Sequence, residues 1–356
     1  MKALITAGGR GTRLRPITHT RNKHLIPIAN KPILHYAIEY VAEAGIKDVG
    51  IIVNANNDEV AETLGSGEPW GVKITCLPQS APLGLAHCVK ISRDFLGDEP
   101  FVFYLGDNMV VGGIKRFKEE FEARGSNCHL VLAAVKDPER FGVPEIKGNR
   151  IVSIEEKPAV PKSNFAVAGI YFYDSSIFEA VNAIQPSARG ELEISDAHQY
   201  LLDRGRTVSF SEITGWWKDT GLPVDLLEAN RMVLDHTEPR TEANARVDEE
   251  STLVGRVVLE EGAKIINSNV RGPAIIGRNT VIENSYIGPY SAIHHDCYVR
   301  NSEMEFSIVL AHCQILDVGI RIEGSLLGCD ARIVRAAGKP RTHRFVVGDQ
   351  GMIELA

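Results

Sequence analysis

The chain's 356 residues are too many for one small domain and suit two, each able to bury its own core. Its composition, 44% apolar and 24% charged, is that of an ordinary globular protein, and no apolar run approaches the ~20 residues of a membrane span. A net charge of −7 argues against a nucleic-acid partner.

The N-terminal "MKALITAGG" has too short an apolar patch for a signal peptide, and the six cysteines form no Cys-x-x-Cys pair. A cytoplasmic protein with reduced, mostly buried cysteines is expected. In chain order, "KALITA" reads as a strand that runs into Gly8-Gly9-Arg10-Gly11. "KPILHYAIEYVAEAG" reads as a helix, with Leu34, Ala37, Ile38 and Val41 at helical spacing, Pro32 near its start and Gly45 at its end. The strands "DVGIIVN" and "VKITCL" follow, then the helix "GLAHCVKISRDF" and the strand "PFVFYLGDN". These near-continuous apolar strands suit a sheet covered by helices on both faces. The fold class expected for residues 1–235 is α/β, a Rossmann-like, mostly parallel sheet. "FGVPEI-KGNR-IVSIEEKP" adds a hairpin.

Residues 236–251 are charged and aperiodic and read as a connector. Beyond them Ile275, Val281, Ile287, Ile293 and Val299 stand six apart, with looser echoes from Val258 through Ile333. This period predicts a left-handed parallel β-helix of hexapeptide repeats over 252–338, with these five residues pointing inward. Residues 339–356 leave the repeat as a tail.

The glycine loop suggests phosphate contact by backbone N–H groups. A dinucleotide fingerprint fails, because Leu14 stands where the third glycine belongs and the second strand ends in "VNAN" without a carboxylate. A Walker A loop fails because Gly-Lys-Ser/Thr is missing. The cluster Arg10, Arg13, Arg15, Arg21 and Lys23 within an acidic protein points to a local anionic ligand.

"GGRGTRLRP" and "KHLIPIANKPILHY", then "PLGLAH", "LGDN", "FGV", "EEKP", "SNFAVAGIYFYD", "RGELEISDA" and "WWKDTG", resemble in order the motifs of the sugar-1-phosphate nucleotidyltransferases. Within that family the chain is most similar to the long form of the glucose-1-phosphate thymidylyltransferases, which carries a β-helix behind its catalytic domain. The resemblance implies transfer of a thymidylyl group from dTTP to glucose 1-phosphate, giving dTDP-glucose and pyrophosphate with Mg2+ as cofactor. A UTP-dependent uridylyltransferase, or a bifunctional enzyme with an acyltransferase β-helix, is the alternative. A non-catalytic regulatory subunit is disfavoured, since Arg13, Lys23, Asp107, Lys157 and Asp219 are all present.

The resemblance assigns catalytic roles to those five residues. Ala7, Gly8, Gly9, Gly11, Thr12 and Arg13 would approach the triphosphate, with Arg13 and Lys23 on the departing pyrophosphate. Gln79, Pro82 and Gly84 would read the base. Asp107 also reads, by itself, as a turn residue; the family has it hold Mg2+ with Asp219, which lies 112 residues further on. Asn108, Gly142, Glu156, Lys157, Val167, Gly169, Arg189, Glu193 and Trp217 would hold the sugar phosphate. His24 stands where the family commonly has glutamine, a swap expected to tune base or sugar preference.

His294-His295 raises acyl transfer, but two neighbours on one coil are not expected to face the same cleft, so a scaffold role is favoured for the β-helix. Side-by-side association of such coils makes a homo-oligomer the expectation.

Overall fold

The computed structural model describes residues 1–55, 57–339 and 343–355 and divides into two compact units. The first comprises Met1–Arg10, Asn22–Leu25 and Ile33–Asp219; the second comprises Gly11–Arg21, Ile26–Pro32 and Thr220–Ala356. No helix among the described residues is long and apolar enough to cross a membrane. All six cysteines are free, and Cys88, Cys128, Cys297 and Cys313 are buried.

The first unit is built on strands β1 (Lys2–Thr6), β2 (Asp48–Asn54), β3 (Lys73–Gln79), β4 (Phe101–Leu105), β6 (Cys128–Ala134), β9 (Phe165–Tyr173) and β10 (Val208–Glu212). They form one sheet in the order β10-β6-β9-β4-β1-β2-β3. Every neighbouring pair is parallel except those made by β9, which runs antiparallel to β4 and β6. The unbroken apolar runs have the cause expected of them. Alternate residues of one strand enter different cores: Ala3 and Ile5 pack with Leu34, Ala37, Ile38 and Val41 of helix α1 (Ile33–Glu43), while Leu4 packs with Ala86 and Val89 of α2 (Leu85–Ile91) and with Ile177 and Val181 of a further helix, Ile177–Ala183.

Two small antiparallel pieces sit on this frame. Strand β5 (Asn108–Val110) pairs with β11 (Trp217–Asp219), and β7 (Gly142–Lys147) pairs with β8 (Arg150–Glu156) as the expected hairpin.

In the second unit three parallel sheets of six, six and five short strands each gain a strand per coil, the pattern of a left-handed parallel β-helix. Its interior rows run Leu259, Ile276, Ile293, Val309 on one side and Ile265, Ile282, Val299, Ile315 on the next, with Val270, Ile287 and Met304 on the third.

Two positions expected to point inward do not. Ile275 lies outside the coil, in an apolar row with Val258 and Ala292 that packs under Leu234 of helix α3 (Pro223–Asp235), and the half-buried Val281 sits beside the true interior residue Ile282. Leu259, Ile276 and Ile293 are seventeen residues apart, so one side of each coil is a residue shorter than a hexad. The helix-covered outer row is as apolar as the interior one, and a strict count of six slid from one row to the other.

The stretch 236–251 also differs from an irregular connector. Arg240–Thr241 and Arg246–Val247 already pair with the strands Val257–Leu259 and Lys264–Ile266 as the start of the coil. Their side chains are exposed, so no apolar period marks them. Among the described residues of the tail no strand follows Arg332–Val334.

Asn230 of α3 is fully buried, accepting from the Ala29 N–H at 2.9 Å and donating to the Tyr290 carbonyl at 2.9 Å. Asn30 donates to the Ile293 carbonyl at 2.9 Å, so the short turn Ile26–Pro32 is tied directly to the coil. In the same unit Gly11 adopts φ 59 before the single turn Thr12–Leu14, and the Thr18 hydroxyl donates to the Gly11 carbonyl at 2.7 Å.

Candidate active site

The carboxyl ends of parallel strands are where an open α/β sheet leaves backbone groups free for a ligand. Here those ends bring Ala7-Gly8-Gly9 after β1, Asn54 at the end of β2, Gln79 at the end of β3 and Gly106-Asp107 after β4 to one edge. Ala7 is held there by its N–H bond to the Ile52 carbonyl at 2.8 Å and by Asn22 Nδ2 on its own carbonyl at 2.9 Å.

Gly9 has a steric reason to be glycine. A Cβ there would meet Lys23 Cε at 2.9 Å and His24 Cε1 at 3.5 Å, so the bare backbone is what lets Lys23 cross it. Beyond Gly9 the Lys23 ammonium reaches the Asp107 carboxylate as an ion pair. Burial by itself would raise the Asp107 carboxyl, but the Lys23 charge, helped by His24 and by hydrogen bonds from Lys23 and Asn108, holds it well below the usual carboxylate range. His24 is pushed down to about 3, first by burial and then by Lys23, and so is neutral at pH 7. Asn22 Oδ1 accepts from both the His24 backbone N–H and its Nδ1, each at 2.9 Å, which assigns the ring proton to Nδ1.

The β5–β11 pairing sets Asp219 opposite Asn108, one residue from Asp107. The pairing brings two chain segments that are far apart in sequence to neighbouring positions. Asn108 is buried and donates to Asp107 Oδ1 at 3.1 Å. Trp217 Nε1 donates to Asn108 Oδ1 at 2.9 Å and to the Ala168 carbonyl at 3.0 Å, and its ring meets Phe141 edge to face. Gly169 lies against Asn108, and Val167 is buried one turn of the pleat earlier on β9.

A second cluster joins it. Glu156, at the end of β8, receives the Ser195 hydroxyl at 2.8 Å and lies 3.4 Å from both Lys157 Nζ and Arg189 Nη2. Arg189 Nη2 also donates to Glu193 at 2.8 Å, and the Ser187 hydroxyl donates to the same Glu193 oxygen at 2.7 Å. A Cβ on Gly142 would stand 2.6 Å from Ser195 Oγ and 3.4 Å from Glu156 Oε2. Ser187 and Ser195 were not singled out in the sequence; their places six residues before and two after Glu193 carry no period.

Gln79 Nε2 lies 3.0 Å from His87 Nδ1 and 3.4 Å from Cys88 Sγ, so helix α2 holds the amide that was expected to read a base. Gly84 enters α2 at φ 100 against the Leu192 backbone, and Pro82 is exposed in the loop before it. Gly11, Thr12 and Arg13 belong to the second compact unit.

Residues 2–236 match the family model for nucleotidyl transferases. The chain belongs to the nucleotidyl transferase family. A glucose-1-phosphate thymidylyltransferase of Streptomyces griseus is 51% identical over the full length of both chains. A crystal structure described as a glucose-1-phosphate thymidylyltransferase of Bacillus anthracis is 41% identical, covers 67% of this chain and 98% of its own, and superposes with a TM-score of 0.63. A UDP-glucose pyrophosphorylase complexed with UDP-glucose is 25% identical, covers 66% of this nucleotidyl transferase and 99% of its own chain, and gives a TM-score of 0.61.

Proposed function

We propose that this nucleotidyl transferase joins dTTP to glucose 1-phosphate, releasing pyrophosphate. The observation that carries the reading is the strand register that sets Asp219 beside Asp107-Asn108, with Lys23 on the same carboxylate. The name of the full-length Streptomyces griseus relative suggests the substrates.

The sugar phosphate oxygen forms the new bond to the α-phosphorus of dTTP, and the bond from that phosphorus to the β-phosphate bridge breaks in line. No proton need move, so the protein's work is to bring two anions together and to stabilise charge that flows to the leaving group. Gly8 and Gly9 present backbone to the triphosphate. Lys23 meets the departing pyrophosphate. Lys157 and Arg189 meet the phosphate of the sugar, while Glu156 and Glu193 accept hydrogen bonds from its hydroxyls.

Gln79, Pro82 and Gly84 face the base, and Asn108, Gly142, Val167, Gly169 and Trp217 wall the sugar. Asp107 and Asp219 fit a hard divalent ion, Mg2+: each offers carboxylate oxygen, Asp219 on β11 and Asp107 in the turn that leads into β5, and Asp107 stays ionised. When bound, the ion neutralises phosphate charge and orients the oxygens it contacts.

The test is pyrophosphate release by the purified chain with glucose 1-phosphate, Mg2+ and each of dTTP, UTP, GTP and ATP. Turnover highest with dTTP is the expected result. Silence with both pyrimidine nucleotides refutes the reading.

A further inference from the structure

One corner of the β-helix gathers ligand chemistry that nucleotidyl transfer does not use. His295 and Asp296 stand in the turn of one coil, and His312 occupies the matching turn of the next. The backbone fixes this stacking: the His312 N–H donates to the His295 carbonyl at 3.2 Å, and Asp296 N–H donates to the Arg278 carbonyl at 2.8 Å. Asp296 and His312 share the left-handed corner conformation, at φ 55 and φ 62. The His294 and His295 rings stand with centroids 4.5 Å apart, and His295 meets His312 edge to face at 5.1 Å.

One ligand atom from each of His295, Asp296 and His312 lies within 4.8 Å of the other two. His295 Nδ1 is 2.7 Å from Asp296 Oδ2, and Asn279, one coil earlier, donates to Asp296 Oδ1 at 3.2 Å. Asp296 and His312 are exposed, so an ion has a path in. Beside them His294 Nδ1 is buried without a hydrogen-bond partner.

We propose that His295, Asp296 and His312 bind a divalent transition-metal ion of the zinc class. Two imidazoles and one carboxylate, with water completing a tetrahedron, are the donors that select Zn2+, Co2+ or Ni2+ over Mg2+. Bonds of ~2.0–2.2 Å put tetrahedral ligand atoms roughly 3.5 Å apart, so the widest pair of the corner closes by at most about 1.3 Å and the 2.7 Å His295–Asp296 pair opens by about 0.8 Å. Exposed side chains on a rigid coil make that movement by rotamer alone.

Asp296 supplies the negative charge. Asn279 orients the carboxylate from behind, the position from which outer partners tune metal affinity. The bound ion ties two successive coils together.

The full chain, stripped with a chelator, is titrated with Zn2+ in competition with a chromophoric chelator, and separately with Co2+. One tight equivalent is expected, with Co2+ giving the visible bands of tetrahedral nitrogen and oxygen ligation and no thiolate charge-transfer band. That equivalent disappears in His295→Ala and in His312→Gln, and weakens by about 10- to 100-fold in Asn279→Ala. Circular dichroism of the stripped variants checks that the coil is intact. Absence of a tight equivalent in the unaltered chain, its survival in the double variant His295→Ala/His312→Gln, or a thiolate band placing the ion on cysteine would each overturn the proposal.

Discussion

Gly142→Ala isolates the sugar side of the site. Gly142 is not in the left-handed region, so backbone strain does not oppose the substitution and space alone decides its effect. The new methyl would lie 2.6 Å from Ser195 Oγ, about 0.8 Å inside ordinary contact. Ser195 must then turn away, breaking its 2.8 Å bond to Glu156 Oε2.

A hydrogen bond to a charged group contributes about 1.5–3 kcal/mol, and Glu156 also anchors Lys157 and Arg189. KM for glucose 1-phosphate should therefore rise by ~10- to 150-fold while KM for dTTP holds nearly constant. Initial rates of pyrophosphate release, varying each substrate at saturation of the other, separate the two. Ser195→Ala should show most of the same defect, and adding Gly142→Ala to it should cost little more, since the displaced hydroxyl is already gone. Additive penalties in the double variant, or an unchanged sugar-phosphate KM in Gly142→Ala, would refute this chain of reasoning.

Asp107→Asn should abolish metal-dependent turnover while leaving the urea midpoint within reach of the parent, checked by single-turnover assays across a Mg2+ titration. Trp217→Phe removes the donor to buried Asn108 and to the Ala168 carbonyl, a loss of about 1–3 kcal/mol read by urea unfolding. Asn230→Ala strips partners from the Ala29 N–H and the Tyr290 carbonyl, and should lower stability by about 2–4 kcal/mol in the same assay; an unmoved midpoint counts against the anchoring role.

His198, fully buried against the Tyr173 hydroxyl, is pushed down to about 3 by burial. The unfolded chain takes up a proton there below pH 6.5 and the folded chain does not, so stability present above 6.5 falls as pH drops toward 3. Between pH 7.5 and 5 the parent should lose about 2 kcal/mol more than His198→Gln.

The parts of the fold written in local pattern were legible. β1 and α1 show their burial in runs and spacings, and the β-helix shows itself in a period that no sandwich or helix shares. Legibility failed where two surfaces of one element are both apolar. Ile275 and Ile276 differ only in which neighbour covers them, α3 or the coil interior, and no count within the repeat distinguishes the two.

At the site the motif acids were readable from resemblance, whereas the pairing that sets Asp219 opposite Asn108 is a three-residue strand contact across more than a hundred residues. Ser187 and Ser195 escaped notice because an orienting hydroxyl is known only by what it faces. Gln79 was read for its amide, and the His87 ring that engages the amide lies a helical turn beyond a loop.

The chain passes between its two compact units five times, at residues 10/11, 21/22, 25/26, 32/33 and 219/220. Four of those passages fall within the first 33 residues, the first of them inside the glycine loop. The coil is therefore no cassette that a gene fusion could append or a deletion could remove at one junction. A graft that keeps residues 220–356 and exchanges the rest would inherit a coil whose Asn230 and Ile293 groups were cut to fit another protein's Ala29 and Asn30. Lineages that trade such coils must rewrite the opening of the chain along with its end, and the two stretches should be inherited as one block.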